Sequence, residues 1–138
     1  MYFLLSVKHI YLRGQVLSKI LNFCKFSKIE LLYELYNGKI LINTIDIKYF
    51  LVSLEELSSI VEVHKINSFE ELTAIFREKK YQTFAIRTNS ENSLKYNQMV
   101  GDIISKSSQD LKVNLKNPDV TVQLEHLGKN WYYFLKIK

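Results

Sequence analysis

Apolar positions along this chain follow two periods, and the places where one gives way to the other outline its elements. Residues 2–7 are a short apolar run that predicts a strand. Val16, Leu17, Ile20, Leu21 and Cys24 then recur at i, i+1, i+4, i+5 and i+8, the spacing of one buried helix face. Two β-rich segments, 31–36 and 39–45, flank Asn37-Gly38, the pair best suited to the two positive φ angles of a type I′ turn, so a hairpin is predicted there. Ser53 followed three residues later by Glu56 has the form of a capping box, which predicts a short second helix carrying Leu54 and Leu57. Ile60, Val61 and Val63 then predict a fourth strand, and the order is βαββαβ.

A second unit is predicted from Asn67. Ser68 and Glu71 repeat the capping-box spacing ahead of Phe69, Leu72, Ile75 and Phe76 at helical intervals, and Lys79-Lys80 suits the carbonyl end of that helix. A strand at 83–88 and a helix bearing Tyr96, Val100, Ile103 and Ile104 follow. Residues 105–110 are polar. From Leu111 the period falls to two, placing Leu111, Val113 and Leu115 on one face and Lys112, Asn114 and Lys116 on the other, until Asn117-Pro118-Asp119 turns the chain. Strands at 120–127 and 131–137 form a closing hairpin around Gly128-Lys129-Asn130. The class predicted is α+β in two small layered units, 1–66 and 67–138, rather than a doubly wound sheet.

Composition narrows this picture. With 138 residues, 47% hydrophobic and 13% aromatic, the chain can bury a core and is not disordered, while four Gly and one Pro exclude a linker-rich or collagenous chain. The single cysteine forms no internal disulfide, the N-terminal apolar run is too short for a signal peptide, and no window has the length of a membrane span. A reducing, cytoplasmic setting and no membrane partner are expected.

Catalytic and metal chemistry lack the residue patterns they need. Cys24, His9, His64 and His126 are scattered, with no paired-ligand spacing for a metal. Cys24 continues the apolar helix stripe, as a buried structural thiol would. His64 alternates with Val63 on a strand and is expected at the surface. Glu55-Glu56 and Glu70-Glu71 both fall in predicted first helical turns, where carboxylates offset the dipole. Gly38-Lys39 lacks the upstream glycine of a phosphate loop, and neither dinucleotide-binding nor nucleophile-elbow motifs occur. No catalytic residue, metal or cofactor is assigned.

Charge is more informative by position than in total. Lys and Arg exceed Asp and Glu by 19 to 14, and between residues 79 and 116 seven cations stand against Glu91, Asp102 and Asp110. Period-two alternation would project Lys112, Asn114 and Lys116 from one face about 6.5 to 7 Å apart, near the spacing of phosphates on an extended strand. Arg87, on the neighbouring strand, adds a planar fork of donors suited to phosphate. A merely solvated sheet edge would carry similar charge.

The segments Phe84-Ala85-Ile86-Arg87, Gly101-Asp102-Ile103-Ile104 and Val113-Asn114-Leu115-Lys116-Asn117-Pro118-Asp119-Val120, closing in the strand from Trp131 to Ile137, together resemble a THUMP domain over roughly residues 67–138. That family is an RNA-binding module of tRNA-modifying enzymes, among them 4-thiouridine synthetases, tRNA guanosine N2-methyltransferases and a cytidine-acetylation adaptor. Asn114 stands where these proteins often carry Asp, and Thr88-Asn89-Ser90 where a further cation is common. Residues 1–66 are similar, in element order, to the ferredoxin-like domain that precedes THUMP in these enzymes.

The resemblance implies a module that binds the acceptor stem and 3′ CCA end of tRNA, with Arg87, Asn89, Lys95, Lys106, Lys112, Asn114, Lys116 and Asn117 as the candidate RNA-binding set. Because nothing in the chain looks like a methyltransferase, pyrophosphatase-type or deaminase domain, a catalytic protein subunit, such as a tRNA methyltransferase, is expected as partner. A stand-alone subunit and a piece of a split enzyme both fit, and oligomeric state is open. Two other readings compete. Tyr81, Phe84, Tyr132 and Phe134 would serve an RRM-like single-strand binder as stacking faces, and exposed Trp131 and Tyr132 would serve a protein-interaction adaptor.

Overall fold

The computed structural model of the chain describes residues 1–78 and 80–138, which divide into two units, Met1–His64 and Lys65–Lys138. In the first, β1 (Tyr2–Val7) leads into α1 (Arg13–Phe26), the hairpin of β2 (Leu32–Tyr36) and β3 (Lys39–Asn43), a one-turn α2 (Lys48–Leu51) and β4 (Leu57–Ile66). The strands lie in the antiparallel order β2-β3-β1-β4, the ferredoxin-like arrangement that the βαββαβ element order anticipates. Phe3 and Leu5 of β1 and Ile40 and Ile42 of β3 share a face, and Val16, Ile20 and Cys24 of α1 pack onto it. Leu21, also expected on the buried helix face, is instead exposed.

Three local expectations in this unit fail, each because a long-range or neighbouring contact takes the residue that the local pattern reserved. The hairpin turn is not type I′. Of its two residues only Gly38 has positive φ, +70°, and the Gly38 carbonyl accepts the Val7 N–H at 3.0 Å, so β1 helps set the peptide's orientation. No helix starts at Ser53: its hydroxyl donates to the Phe50 carbonyl at 2.6 Å, closing α2 behind it, while Asp46 accepts the Lys48 N–H at 3.0 Å at the start of α2. Glu56 therefore caps nothing and pairs with Lys19 of α1 at 2.8 Å.

The end of α1 is formed without glycine. Ile29 N–H reaches the Cys24 carbonyl at 2.8 Å and Lys28 N–H the Lys25 carbonyl at 3.3 Å, a Schellman closure with Lys28 in the left-handed region at φ 56°. Ile29 then packs against the core that Cys24 enters.

In the second unit a 3₁₀ helix, Phe69–Phe76, precedes β5 (Thr83–Asn89), α3 (Ser93–Ser107), a two-residue β6 (Lys112–Val113), β7 (Val120–Leu127) and β8 (Asn130–Ile137). The strand order is β8-β7-β5-β6, with β5 parallel to β6 and β7, and β7 antiparallel to β8. Residues 69–76 were expected to be α-helical. The face that the helical spacing predicted is kept all the same: Leu72 and Phe76 are buried in the core cluster, and Phe69 and Ile75 pack against it. The capping box does not form: Glu71 accepts the Asn67 N–H at 2.8 Å, one residue ahead of the Ser68 N–H that the box would use, and the Ser68 side chain caps nothing. The expected terminus at Lys79-Lys80 rests on Lys79, which lies outside the described residues. Val100 and Ile104 of α3 are fully buried beneath Phe84, Val120, Val122 and Leu124 of the sheet. Among the described residues no helix is long and apolar enough to cross a membrane.

The alternating strand expected at 111–116 is cut short. Asn114 Oδ1 accepts the N–H groups of Lys116 at 3.1 Å and Asn117 at 3.0 Å, an Asx turn that curls the chain off the sheet. Leu111 is buried, but Val113 is 50% exposed and Leu115 62% exposed, so neither belongs to the core.

Two stability outcomes follow from these placements. Val113→Ala and Leu115→Ala should each shift urea-unfolding stability by no more than about 0.5 kcal/mol, whereas Leu124→Ala, fully buried, should cost about 2 to 5 kcal/mol. A Leu115→Ala cost equal to that of Leu124→Ala would contradict the exposed placement. Lys28→Gly should stabilise the protein by roughly 0.5 to 1 kcal/mol in the same assay, since glycine occupies the left-handed region without a Cβ clash; a destabilised variant would show that Lys28 is held by contacts rather than strained.

Candidate nucleic-acid interface

Three exposed cations of the second unit, Arg87, Lys112 and Lys116, lie on β5, β6 and the loop that follows β6. Arg87 is exposed on β5, and its guanidinium donates to the Leu115 carbonyl at 3.1 Å and to the Ile86 carbonyl at 3.3 Å. The first bond pins the Asx-turn loop, so Arg87, Lys116 and Asn117 are held in one neighbourhood. The remaining guanidinium N–H groups stay available to an anion. Lys112 is exposed on β6, whose register with Thr83 of β5 anchors it to the same edge. Asn114 is half-buried and spends its carboxamide oxygen on the turn, which makes it a loop former rather than a free ligand.

The other predicted residues separate. Lys95 and Lys106 are exposed on α3 and, eleven residues apart, fall on one helical stripe with Asp102 between them. Asn89 does not join the cations: its side-chain amide donates to the buried carboxylate of Glu125 at 2.8 Å, across the β5–β7 pairing, and so satisfies a charged group inside the fold.

One residue that holds the site together was legible only as part of a turn. Asp119 Oδ2 accepts the N–H groups of Gln82 at 2.9 Å and Thr83 at 3.1 Å, and its own N–H donates to Thr83 Oγ1 at 2.9 Å. These bonds hold the Asp119 carboxyl below the usual aspartate range, chiefly through the Gln82 and Thr83 amides, with Lys138 adding a smaller electrostatic share. A clue was present in the sequence, since an Asp directly before a strand matches the unmet N–H groups at another strand's start, but nothing local identifies the partner strand.

The aromatic residues of the competing readings are mostly committed elsewhere. Phe84 is fully buried and Tyr132 nearly so, which removes two of the four stacking faces an RRM-like binder would need and one of the two aromatics of an adaptor. Trp131 is half-buried, packed edge-on against Phe69 and Tyr96 and stacked face to face with His126 at 4.2 Å. Cys24 is buried and its thiol pKa is raised by that burial, which agrees with a structural role. His64 is exposed, as expected from its alternation with buried Val63. Among the described residues no three His, Cys, Asp or Glu side chains converge as metal ligands would.

Comparison with known proteins places these features in context. The family model of the THUMP domain matches residues 67–134. A tRNA sulfurtransferase of Colwellia psychrerythraea is 37% identical over 81 residues, a match covering 54% of this chain and 16% of that protein. Among solved structures, PH1313 of Pyrococcus horikoshii aligns over 99% of this chain and 54% of its own, with a TM-score of 0.74 and 17% identity. A 4-thiouridine synthetase solved with RNA and ATP aligns over 98% of this chain and 40% of its own, TM-score 0.62 and 17% identity. TrmN of Thermus thermophilus aligns over 100% and 46%, TM-score 0.59 and 15% identity. At these identities the structural matches speak to the fold, and the chain spans about half or less of each relative.

The Asp119 contacts make stability pH-dependent in a defined direction. A carboxylate whose folded pKa is depressed stabilises the fold above its unfolded value, about 3.9, and that contribution is lost as pH falls through the lower folded value. Asp119→Ala should therefore be less stable than wild type at pH 7 and lose less on acidification, so that their thermal midpoints converge below about pH 4. Curves that stay parallel down to pH 2 would rule out the assigned contacts.

Proposed function

Residues 67–134 of this chain are a THUMP domain, and from that premise we propose that the protein is a tRNA-binding module. It grips the acceptor stem and the 3′ CCA end and presents the tRNA to a separate tRNA-modifying catalytic subunit, a methyltransferase in the first instance. The observation that carries this reading is the set of exposed cations Arg87, Lys112 and Lys116 at one sheet edge, Lys112 placed by its pairing opposite Thr83 and Lys116 by the loop that the Arg87 to Leu115 bond pins. A rigidly presented set of donors on a short edge strand matches the regular charge of a nucleic-acid backbone better than a scattered solvated surface does.

Lys95 and Lys106 of α3 extend the positive surface and set the general attraction for RNA. Asn117 contributes its exposed amide at the loop tip, while Asn89 and Asn114 act through the fold, by satisfying Glu125 and by forming the Asx turn. The Met1–His64 unit, with its ferredoxin-like strand order, serves in this reading as the partner domain that spaces the acceptor stem. The named relatives, a tRNA sulfurtransferase, a 4-thiouridine synthetase with RNA, and TrmN, support RNA as the ligand and modification as the setting. No cofactor is assigned to this module, and modification chemistry is left to the catalytic subunit.

Binding of full-length tRNA, measured by filter retention or anisotropy across a salt series, should be micromolar with a log-log slope of roughly −2 to −5. Lys112→Ala and Lys116→Ala should each weaken it and reduce the slope by about 0.9, at little cost in stability. Arg87→Ala should lose as much affinity as removal of the terminal CCA, without the two losses adding. Binding that is independent of salt, or absent for every tRNA, would defeat the proposal, and full additivity would move the CCA end away from Arg87.

A further inference from the structure

In the first unit β2 stands at the end of the strand order, paired with β3 on one side and with no strand on the other. Two hydrogen bonds show which of its backbone groups face outward. The Val7 N–H donates to the Gly38 carbonyl at 3.0 Å and the Thr44 N–H to the Met1 carbonyl at 2.9 Å, so the even-numbered residues from Gly38 to Thr44 turn their polar backbone groups toward β1. Alternation then turns Lys39, Leu41 and Asn43 toward β2, and their partners Tyr36, Glu34 and Leu32 toward β3. The Glu30 carbonyl continues the pattern, accepting from Thr44 Oγ1 at 3.3 Å. The N–H and C=O groups of Leu31, Tyr33 and Leu35 therefore point away from the sheet.

This edge lacks the usual devices that keep sheet edges apart. Residues 31–36 contain no Pro and no Lys, and the register with β3 runs from Leu32 to Tyr36 without a bulge. Glu34, the one charged side chain of β2, accepts a hydrogen bond from the Tyr36 hydroxyl of the same strand. Tyr33 and Leu35 stand opposite Ile42 and Ile40, on the face that packs against α1, yet they are 45% and 42% exposed, so the apolar face continues past the covered core to the open edge. Outward polar backbone beside exposed apolar side chains suits the addition of another β-strand.

The residues of the edge indicate which strand. A second copy that pairs antiparallel about a two-fold axis matches residues whose numbers have a constant even sum, because directly opposed side chains share a face. An axis at Leu32 would set Glu30 against the partner's Glu34, and an axis at Glu34 would set Glu34 against the partner's Glu34, both in the pairs without hydrogen bonds, where strands approach most closely. An axis at Leu31 would run the added strand into Lys28, where the chain is in the left-handed region, and one at Leu35 would leave Leu31 beyond the turn of the partner's hairpin. An axis at Tyr33 matches Tyr33 with the partner's Tyr33 and Leu31 with the partner's Leu35 on the apolar face. On the other face it sets Leu32 opposite the partner's Glu34 and Glu30 opposite the partner's Tyr36. Every outward N–H and C=O from Leu31 to Leu35 then has a partner, and no carboxylate meets a carboxylate.

We infer that the β2 edge is a dimer interface, at which two copies of this chain join their first-unit sheets through antiparallel β2 strands centred on Tyr33. Such a contact is isologous and closes at two copies. The inference rests on the first unit alone and is independent of the RNA-binding reading.

Sedimentation velocity of the full chain from about 2 to 500 µM should show the 16.3 kDa species give way to one of twice that mass, with the micromolar midpoint of an interface below standard size. Tyr33→Lys brings two ammonium groups together at the axis and should weaken association about tenfold or more, with an unchanged circular dichroism spectrum. Tyr33→Pro removes an N–H that the β2–β3 ladder does not use and should have the same effect. Leu32→Lys, opposite the partner's Glu34, should strengthen association roughly threefold or more at low salt. Tyr33→Cys should form a covalent dimer on mild oxidation, because a hydrogen-bonded pair holds its Cα atoms about 5.5 Å apart, within disulfide reach, while Leu35→Cys should not. The native Cys24 is buried and does not compete. A chain that stays at 16.3 kDa throughout would overturn the inference and leave a strand of another protein as the occupant of the edge. A dimer that Tyr33→Lys and Tyr33→Pro both leave intact, or Leu35→Cys cross-linking as readily as Tyr33→Cys, would overturn it as well.

Discussion

Parallel strands leave their first N–H groups without a hairpin partner, and in the second unit that shortage is met by one side chain. Asp119 stands immediately before β7 and accepts from Gln82 and Thr83 at the entry to β5, while Thr83 Oγ1 accepts from Asp119 in return. The exchange locks Phe84 opposite Val120 and hence the whole parallel register through Asn89 and Glu125. A slip of one residue would turn Phe84 and Ile86 out of the core and bring Arg87 inward. The cationic edge depends on this lock, because Arg87 reaches the Leu115 carbonyl only if β5 and the loop before β7 keep their relative positions.

That lock also explains how a short polar loop can be shaped enough to bind. Between Val113 and Asp119 the chain has an Asx turn at one end, the Asp119 staple at the other, and the Arg87 guanidinium bound near its middle. Each is a modest interaction, but together they fix a segment that would otherwise sample many conformations, so on the proposed reading the lysines would meet RNA with part of the backbone ordering cost already met. The same loop leaves Val113 and Leu115 facing α3 across a groove instead of completing a core.

The first unit works by different physics. Its sheet is antiparallel, its core is one helix face against one sheet face, and its closing contacts are ordinary burial of Phe3, Leu5, Val16, Ile20, Ile40 and Ile42. Where it departs from expectation the competing groups are polar and near at hand. Ser53 closes α2 behind it rather than opening a helix ahead, and Glu56 answers Lys19. A Ser-x-x-Glu spacing states only that a cap is available; which end of which helix uses it depends on where the chain is already bent.

Periodicity and turn signals located the two long helices and every strand but the one expected at 111–116, because a face buried against a core must repeat every two or about 3.6 residues whatever its partner is. The segments resembling a THUMP domain identified the second unit for the same reason, since Phe84, Ile86, Ile104 and Val120 all enter its core. What the pattern could not decide was which faces are covered. Leu111, Val113 and Leu115 alternate as a buried strand does, yet only Leu111 is buried, because the Asn114 carboxamide ends the strand and no element lies over the other two. Nor could it show that Asn89 serves Glu125, that Asp119 serves β5, or that Gly101 borders a groove. Those assignments join residues that the sequence holds far apart, and hydrogen-bond partners and open space exist only once the chain has folded.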